Sequence, residues 1–294
     1  MIRTFDLALP HGITLACRGV GEGPPSVVLL HGFPEAAFAW DEVMERLHAQ
    51  TGAVCVAPNL RGYPGSSAPA EMASYRAKGL VSDVVAAVQA LGAPVEVLVA
   101  HDWGGAVAWG VAAAHPEIMR RLLILNAPHA ATFLRALRDD PGQQAASAYM
   151  NFLCRPDAAR LLSDNGHARL WGLFGSMAWM TPDQRARYVA AWGPQGQGLE
   201  GPLNYYRASP LRPATGPDDA INRLELPDAA VTVRVPTTVL WGEADVALLP
   251  CLLDGLERWV PGVRIERVPG ASHWVAHEEP ARVVAEIAAL LPRG

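Results

Sequence analysis

Cysteine is scarce and scattered: Cys17, Cys55, Cys154 and Cys251 are the four in 294 residues, and no two stand at C-x-x-C spacing. That pattern argues against a zinc ribbon or a disulfide framework. Cys17 and Cys55 fall in apolar, strand-like runs and are expected to be buried small hydrophobes. Charge is thin as well, at 18% of residues with a net charge of −5. No Lys/Arg cluster offers a footprint for nucleic acid. No uninterrupted apolar run is long enough to span a bilayer. The first residues lack a basic stretch followed by an apolar one, so no signal peptide is expected. The expectation is a soluble, cytoplasmic protein without internal repeats or low-complexity tracts.

What the chain has is apolar residues, at 50% of the total. Length and composition allow one large or two small domains. In the first third, short β-rich runs at 5–9, 13–18, 26–30, 53–58, 95–100 and 122–125 alternate with helix-periodic stretches at 38–48, 79–91 and 106–114. Such alternation predicts a mainly parallel sheet covered on both faces. From 130 to about 222 no β-rich run occurs; helix-like segments broken by Pro and Gly, and rich in aromatics, predict a helical insertion. Beyond Pro236 the β/α pattern returns, with strands at 237–241 and 264–268 and helices at 252–260 and 279–291.

Three loops follow three of these strands. In open α/β sheets ligands bind beyond the carboxyl ends of the strands, so residues just after Leu30, Ala100 and Trp241 converge. Ala100-His101-Asp102-Trp103-Gly104-Gly105 joins a strand directly to a helix. Asp102 stands where G-x-S-x-G carries a nucleophilic serine, and no G-x-S-x-G occurs in the chain; alone, Asp102 reads equally well as a helix cap. His31-Gly32-Phe33-Pro34-Glu35 offers the backbone N–H of Phe33 which, with that of Trp103, would form an oxyanion hole; alone, it is an ordinary Gly-Pro turn. Trp241-Gly242-Glu243-Ala244-Asp245 is followed by Gly270-Ala271-Ser272-His273-Trp274, with His273 28 residues after Asp245. In this order Asp245 would hold the imidazole tautomer and His273 would act as base. Glu243 competes with Asp245. His277 competes with His273, although its place at the start of the last helix suggests the surface.

Together these residues resemble the epoxide hydrolase branch of the α/β-hydrolase superfamily. HGFPE, RGYPGSS at 61–67, HDWGG, NAPH at 126–129, WGEAD and GASHW follow the family's order over essentially the whole chain. The resemblance implies an α/β-hydrolase fold, a mostly parallel sheet flanked by helices, with a core at 1–129 and 223–294 and an inserted helical cap at 130–222. It also implies two cap tyrosines that hydrogen-bond an epoxide oxygen. Asn204-Tyr205-Tyr206-Arg207 is similar to the family's N-W-Y-R motif, which places one at Tyr206 and puts Tyr205 in the tryptophan position. The other would be Tyr149, seven residues before Pro156. Either could instead pack amphipathically with its hydroxyl at the surface. His31, Trp179 and Tyr205 are expected to line the pocket.

The chemistry so implied is attack by Asp102 on an epoxide carbon, alkyl-ester formation, and hydrolysis by water activated at His273 to give a vicinal diol. No metal or organic cofactor is called for. The expected partner is a small apolar or aryl epoxide, with neither nucleic acid nor membrane, and a homodimer is compatible with the chain. Haloalkane dehalogenase is the nearest alternative. It needs a second halide donor beside Trp103, for which Trp171, Trp179 and Trp192 are candidates. A fluoroacetate dehalogenase would carry arginine where Trp103 stands. A non-catalytic ligand-binding protein on the same fold is the reading from a different class.

Overall fold

The apolar runs of the sequence become one eight-stranded sheet in a computed structural model describing residues 1–292. Its strands are β1 (Arg3–Ala8), β2 (Thr14–Val20), β3 (Val27–Leu30), β4 (Cys55–Pro58), β5 (Val95–His101), β6 (Met119–Leu125), β7 (Thr237–Gly242) and β8 (Arg264–Val268). They lie in the order β1-β2-β4-β3-β5-β6-β7-β8. The β1–β2 and β2–β4 pairs are antiparallel, and all later neighbours run parallel. β3, β4 and β7 are buried along their whole length, as expected of parallel strands covered on both faces.

Alternate residues of each strand feed opposite layers. Val27, Leu29, Val97, Val99, Leu123 and Leu240 pack with α1 (Asp41–Thr51) and with a helix at the far end of the chain. Val28, Leu30, Leu98, Leu122, Ile124 and Val239 pack with α2 (Ala77–Leu91) and α3 (Asp102–Ala114). Between β6 and β7 the chain is helical: α4 (Ala130–Asp139), α5 (Pro141–Ala146), α6 (Tyr149–Leu153), α7 (Ala158–Leu173), α8 (Pro182–Trp192), α9 (Glu200–Ala208) and the short α10 (Asp228–Val231). α11 (Val275–Glu278) and α12 (Pro280–Leu290) close the chain, and α12 is the distant partner of α1.

Register sets where the chemistry falls. Leu30 pairs with Ala100, His101 with Leu125, Leu125 with Leu240 and Gly242 with Val268. The carboxyl ends of β3, β5, β6, β7 and β8 therefore form one edge, from which the loops beginning at His31, Asp102, Asn126, Glu243 and Pro269 emerge together.

Two sequence expectations need correction. The stretch 252–260 is not a continuous helix but two short 3₁₀ turns, Pro250–Leu253 and Leu256–Arg258, separated by Gly255 at φ 71°. The helix expected at 106–114 begins four residues earlier, at Asp102 itself, because Gly104 and Gly105 are carried within its first turn.

Candidate active site

Asp102 is the first residue of α3, and its backbone is held at φ 49°, a left-handed conformation that is costly for a side chain other than glycine. The neighbouring glycines make the turn possible. A Cβ on Gly32 would stand 2.2 Å from Asp102 Oδ1, and one on Gly105 would stand 2.2 Å from the Ala127 Cβ. With no side chain at Gly32, the backbone after β3 closes on the carboxylate. The Phe33 N–H donates to Asp102 Oδ1 at 2.6 Å.

The other carboxylate oxygen, Oδ2, lies 3.6 Å from His273 Nε2. His273 Nδ1 in turn meets Asp245 Oδ2 at 2.7 Å. Asp245 is buried, yet its carboxylate is well supplied with donors. Ala247 and Leu248 N–H groups each donate to Oδ1 at 2.9 Å, and the Asn126 amide donates to Oδ2 at 2.8 Å. Burial alone would raise its pKa; the His273 charge and these hydrogen bonds outweigh that and hold it below the usual range. For His273 burial works to lower the pKa, but Asp245 and Asp102 dominate and push it up to about 10. The imidazole is therefore charged at neutral pH and paired with an ionised Asp245.

Above this group lies a cavity of about 290 Å³. Asp102, Trp103, Tyr149, Tyr205 and Tyr206 all line it. The Tyr206 ring stands edge-on to Phe33, Trp103 and Tyr149, with centroids 5.3, 5.0 and 6.3 Å away. Burial, reinforced by the Asp102 charge, raises the pKa of both Tyr149 and Tyr206, so both phenols keep their protons. Tyr205 differs: its hydroxyl is committed to the Arg61 carbonyl at 2.9 Å, and only its ring faces the cavity.

Two residues expected to line the pocket lie elsewhere. His31 is fully enclosed, with Nε2 accepting from Leu60 N–H at 3.1 Å and Nδ1 donating to the Gly32 carbonyl at 3.1 Å. Burial drops its pKa to about 4, so it is a neutral brace for the loop after β3. Trp179 stacks on His277 at 4.1 Å and 7°, away from the cavity lining. The expectation that His277 sits at the surface is overturned. Its Nε2 lies 2.6 Å from Glu35 Oε1, which also accepts from the Tyr188 hydroxyl at 2.5 Å, and its side chain is 7% exposed. His277 looked like a surface residue because a helix start usually is one; here the α8 side of the insertion covers it. Glu243, the rival of Asp245, pairs instead with Arg267 at 3.2 Å at the surface.

Asn126 is the neighbour of Asp245 that sequence reasoning passed over. It sits directly after β6 at φ 36°, fully buried, and also accepts the Gly242 N–H at 2.8 Å. The signal was available, since an asparagine that tolerates positive φ stood at the end of a strand.

Comparison with known proteins agrees with this arrangement. Residues 25–280 match the α/β-hydrolase fold family. The chain is 33% identical to the AB hydrolase superfamily protein YfhM of Bacillus subtilis, over 93% of this chain and 92% of that protein. It is 32% identical to Epoxide hydrolase 3 of Xenopus tropicalis, over 88% of this chain and 69% of that protein. A Bacillus megaterium epoxide hydrolase crystallised with an inhibitor superposes with a TM-score of 0.87 at 28% identity, covering 98% of this chain and all of the other. The strained aspartate, its paired histidine and these likenesses together mean that the chain belongs to the epoxide hydrolase branch of the α/β-hydrolase superfamily.

Proposed function

We propose that the protein hydrolyses epoxides to vicinal diols in two steps, with Asp102 as nucleophile. One observation carries the reading: a single cavity presents the Asp102 carboxylate together with two protonated phenols, those of half-buried Tyr149 and buried Tyr206. An epoxide carbon needs an attacking group on one side and a proton donor for the departing oxygen on the other. A carboxylate needs no deprotonation before it attacks. The neutral phenols supply the proton that the opened ring requires.

In the first step Asp102 forms a bond to the epoxide carbon, the C–O bond breaks, and the alkoxide takes a proton from Tyr149 or Tyr206. The ester carries no charge. Asp102 then no longer supports the His273 cation, whose pKa falls; the imidazolium gives up its proton, which restores the tyrosine that protonated the alkoxide, and the imidazole becomes available as a base. Water activated at Nε2 attacks the Asp102 carbonyl carbon. The oxyanion develops on the oxygen that already faces the Phe33 N–H, with the Trp103 N–H as its second donor. Its collapse breaks the ester C–O bond; the departing alkoxide takes the remaining proton of the added water and leaves as the diol, Asp102 returns to a carboxylate, and the water's other proton stays on His273. Asp245 holds the Nδ1–H tautomer throughout. Residues 130–222 act as the cap that brings the tyrosines over the nucleophile.

Most of the other residues on the cavity wall are apolar, which suits an apolar or aryl epoxide. A haloalkane fits less well. The candidate second halide donors are taken or displaced: Trp171 Nε1 donates to the Gly166 carbonyl at 3.1 Å, Trp192 Nε1 to the Pro34 carbonyl at 2.6 Å, and Trp179 is off the cavity. Incubation with styrene oxide, an aliphatic epoxide and a matched set of haloalkanes, with diol and halide both measured, tests the reading. Diol from the epoxides is expected. Halide release without diol would replace it with the dehalogenase reading, and tight ligand binding without any turnover with the non-catalytic one.

A further inference from the structure

One face of α3 forms the floor of the cavity. After Asp102 and Trp103 the lining continues through Ala106, Val107, Trp109, Gly110 and Ala113. That spacing follows one side of a helix, and it carries the floor about 16 Å from Asp102 at 1.5 Å per residue. Three of these five later positions are Ala or Gly, and Trp109 is buried against His129, so Ala106, Gly110 and Ala113 leave a furrow rather than a ridge along this side of α3. At Gly110 the missing side chain lets Val81 of α2 come in, since a Cβ there would lie 3.0 Å from Val81 Cγ2. Val81 thus forms a side wall. Leu224 and Leu226, on the return from the helical segment, are among the other lining residues.

The two ends of the cavity differ. Phe133, Met150 and Leu248 line it and are buried. Ala77, Pro210 and Ala230 also line it and are exposed, which marks a mouth. Asp102 is the sole charged side chain on the wall among the described residues. His129, the lining imidazole, is held neutral by burial, with Nδ1 accepting from Ala131 N–H and Nε2 donating to the Val231 carbonyl. Among the described residues no cationic side chain lines the furrow to receive a carboxylate.

We infer that the furrow along α3 is a subsite for a long, unbranched, uncharged tail on the epoxide, and that Ala106 and Ala113 act as marks on a ruler of tail length. The inference rests on the epoxide hydrolase reading of the site. Each methylene laid in the furrow is expected to raise kcat/KM by about fourfold until the mouth is reached.

The test is kcat/KM over a series of 1,2-epoxyalkanes from butane to dodecane, for wild type, Ala106→Leu and Ala113→Leu. Leucine keeps helix propensity and projects into open space at both sites, with Ala106 counted exposed and Ala113 half-buried. Wild type should gain steadily with tail length. The gain should stop at a short tail in Ala106→Leu and at a longer one in Ala113→Leu. An ω-carboxylate on the longest tail should cancel most of the gain. If wild-type rates ignore tail length, if both variants break at the same length, or if the carboxylate improves turnover, the ruler is wrong while the reaction stands. If no epoxide is turned over, the reaction fails instead. Calorimetric binding of the matching 1,2-alkanediols then reads the furrow separately: affinity graded by length in the same order supports it, and flat affinity overturns it.

Discussion

The Asn126 amide holds the Asp245 carboxylate at 2.8 Å, while its own carbonyl oxygen takes the Gly242 N–H at 2.8 Å. Asparagine at φ 36° thus ties the ends of β6 and β7 together and fixes the acid facing His273. Removing the amide leaves a buried carboxylate short of one donor, which costs about 1.5–3 kcal/mol for a charged hydrogen bond. Asn126→Gly tolerates the backbone angle and loses the amide; Asn126→Ala loses both. Urea denaturation should show both variants destabilised, with Ala the worse. Ester hydrolysis should slow in both while alkylation is spared. Equal slowing of both steps would mean that Asn126 supports the loop as a whole rather than the Asp245–His273 pair.

His273→Gln separates the two chemical steps. Its Nε2 is 3.6 Å from the carboxylate it is to deacylate, so glutamine removes the base and leaves the nucleophile in place. Incubation with styrene oxide should then accumulate one equivalent of covalent adduct on Asp102, seen as a mass increase equal to the substrate, with no steady diol release. Asp102→Ala should show neither adduct nor diol. Turnover of His273→Gln near the wild-type rate would remove the assigned base.

Much of this site was legible because strand ends are legible. Three strand-like runs, two of them apolar and the third the charged Arg264–Val268, each followed by a Gly-bearing loop, were enough to bring Asp102, Asp245 and His273 to one edge, since parallel register leaves their loops nowhere else to go. Residues whose placement depends on contacts between the insertion and the sheet were harder to read. His277 and Glu35 are joined by Tyr188 of α8, and nothing local to GASHWVAHEEP or HGFPE records that partner. His31 looked like a pocket residue because it adjoins the oxyanion loop, whereas its ring turns back to Leu60. The helix expected at 252–260 has a fair apolar pattern but is cut by Gly255, a local conformation that outweighed periodicity.

Tyr149, Tyr205 and Tyr206 line one cavity but should respond differently to loss of a hydroxyl. Tyr206→Phe and Tyr149→Phe each remove one proton donor, and kcat/KM should fall by roughly 10²-fold, with the double variant nearer 10⁴-fold. Their folding stability should change little. Tyr205→Phe removes a hydrogen bond to the Arg61 carbonyl instead. It should cost about 1 kcal/mol of stability and leave kcat/KM close to wild type. A stability loss in Tyr206→Phe equal to that of Tyr205→Phe, with activity retained, would assign Tyr206 to packing.

The His273 charge should be visible in both stability and rate. Its pKa is pushed up to about 10 in the folded enzyme by Asp245 and Asp102 against the opposing effect of burial, whereas an unfolded histidine titrates near 6.5, a value of about the usual size. Between these values the folded state binds the proton that the unfolded state has lost. The stabilisation is therefore fully present below the unfolded pKa and disappears as pH rises through the folded one. Urea titrations at a series of pH values from neutral to about the folded pKa should show wild type losing its advantage over His273→Gln as pH climbs; a pH-independent gap would contradict the raised pKa. The ester intermediate lacks the Asp102 charge, so its imidazole should titrate lower than that of the free enzyme. Rapid-quench measurement of ester hydrolysis against pH should accordingly rise to its plateau at a lower pH than the histidine titration of the resting enzyme followed by NMR, and coincidence of the two curves would show that alkylation of Asp102 does not release the base.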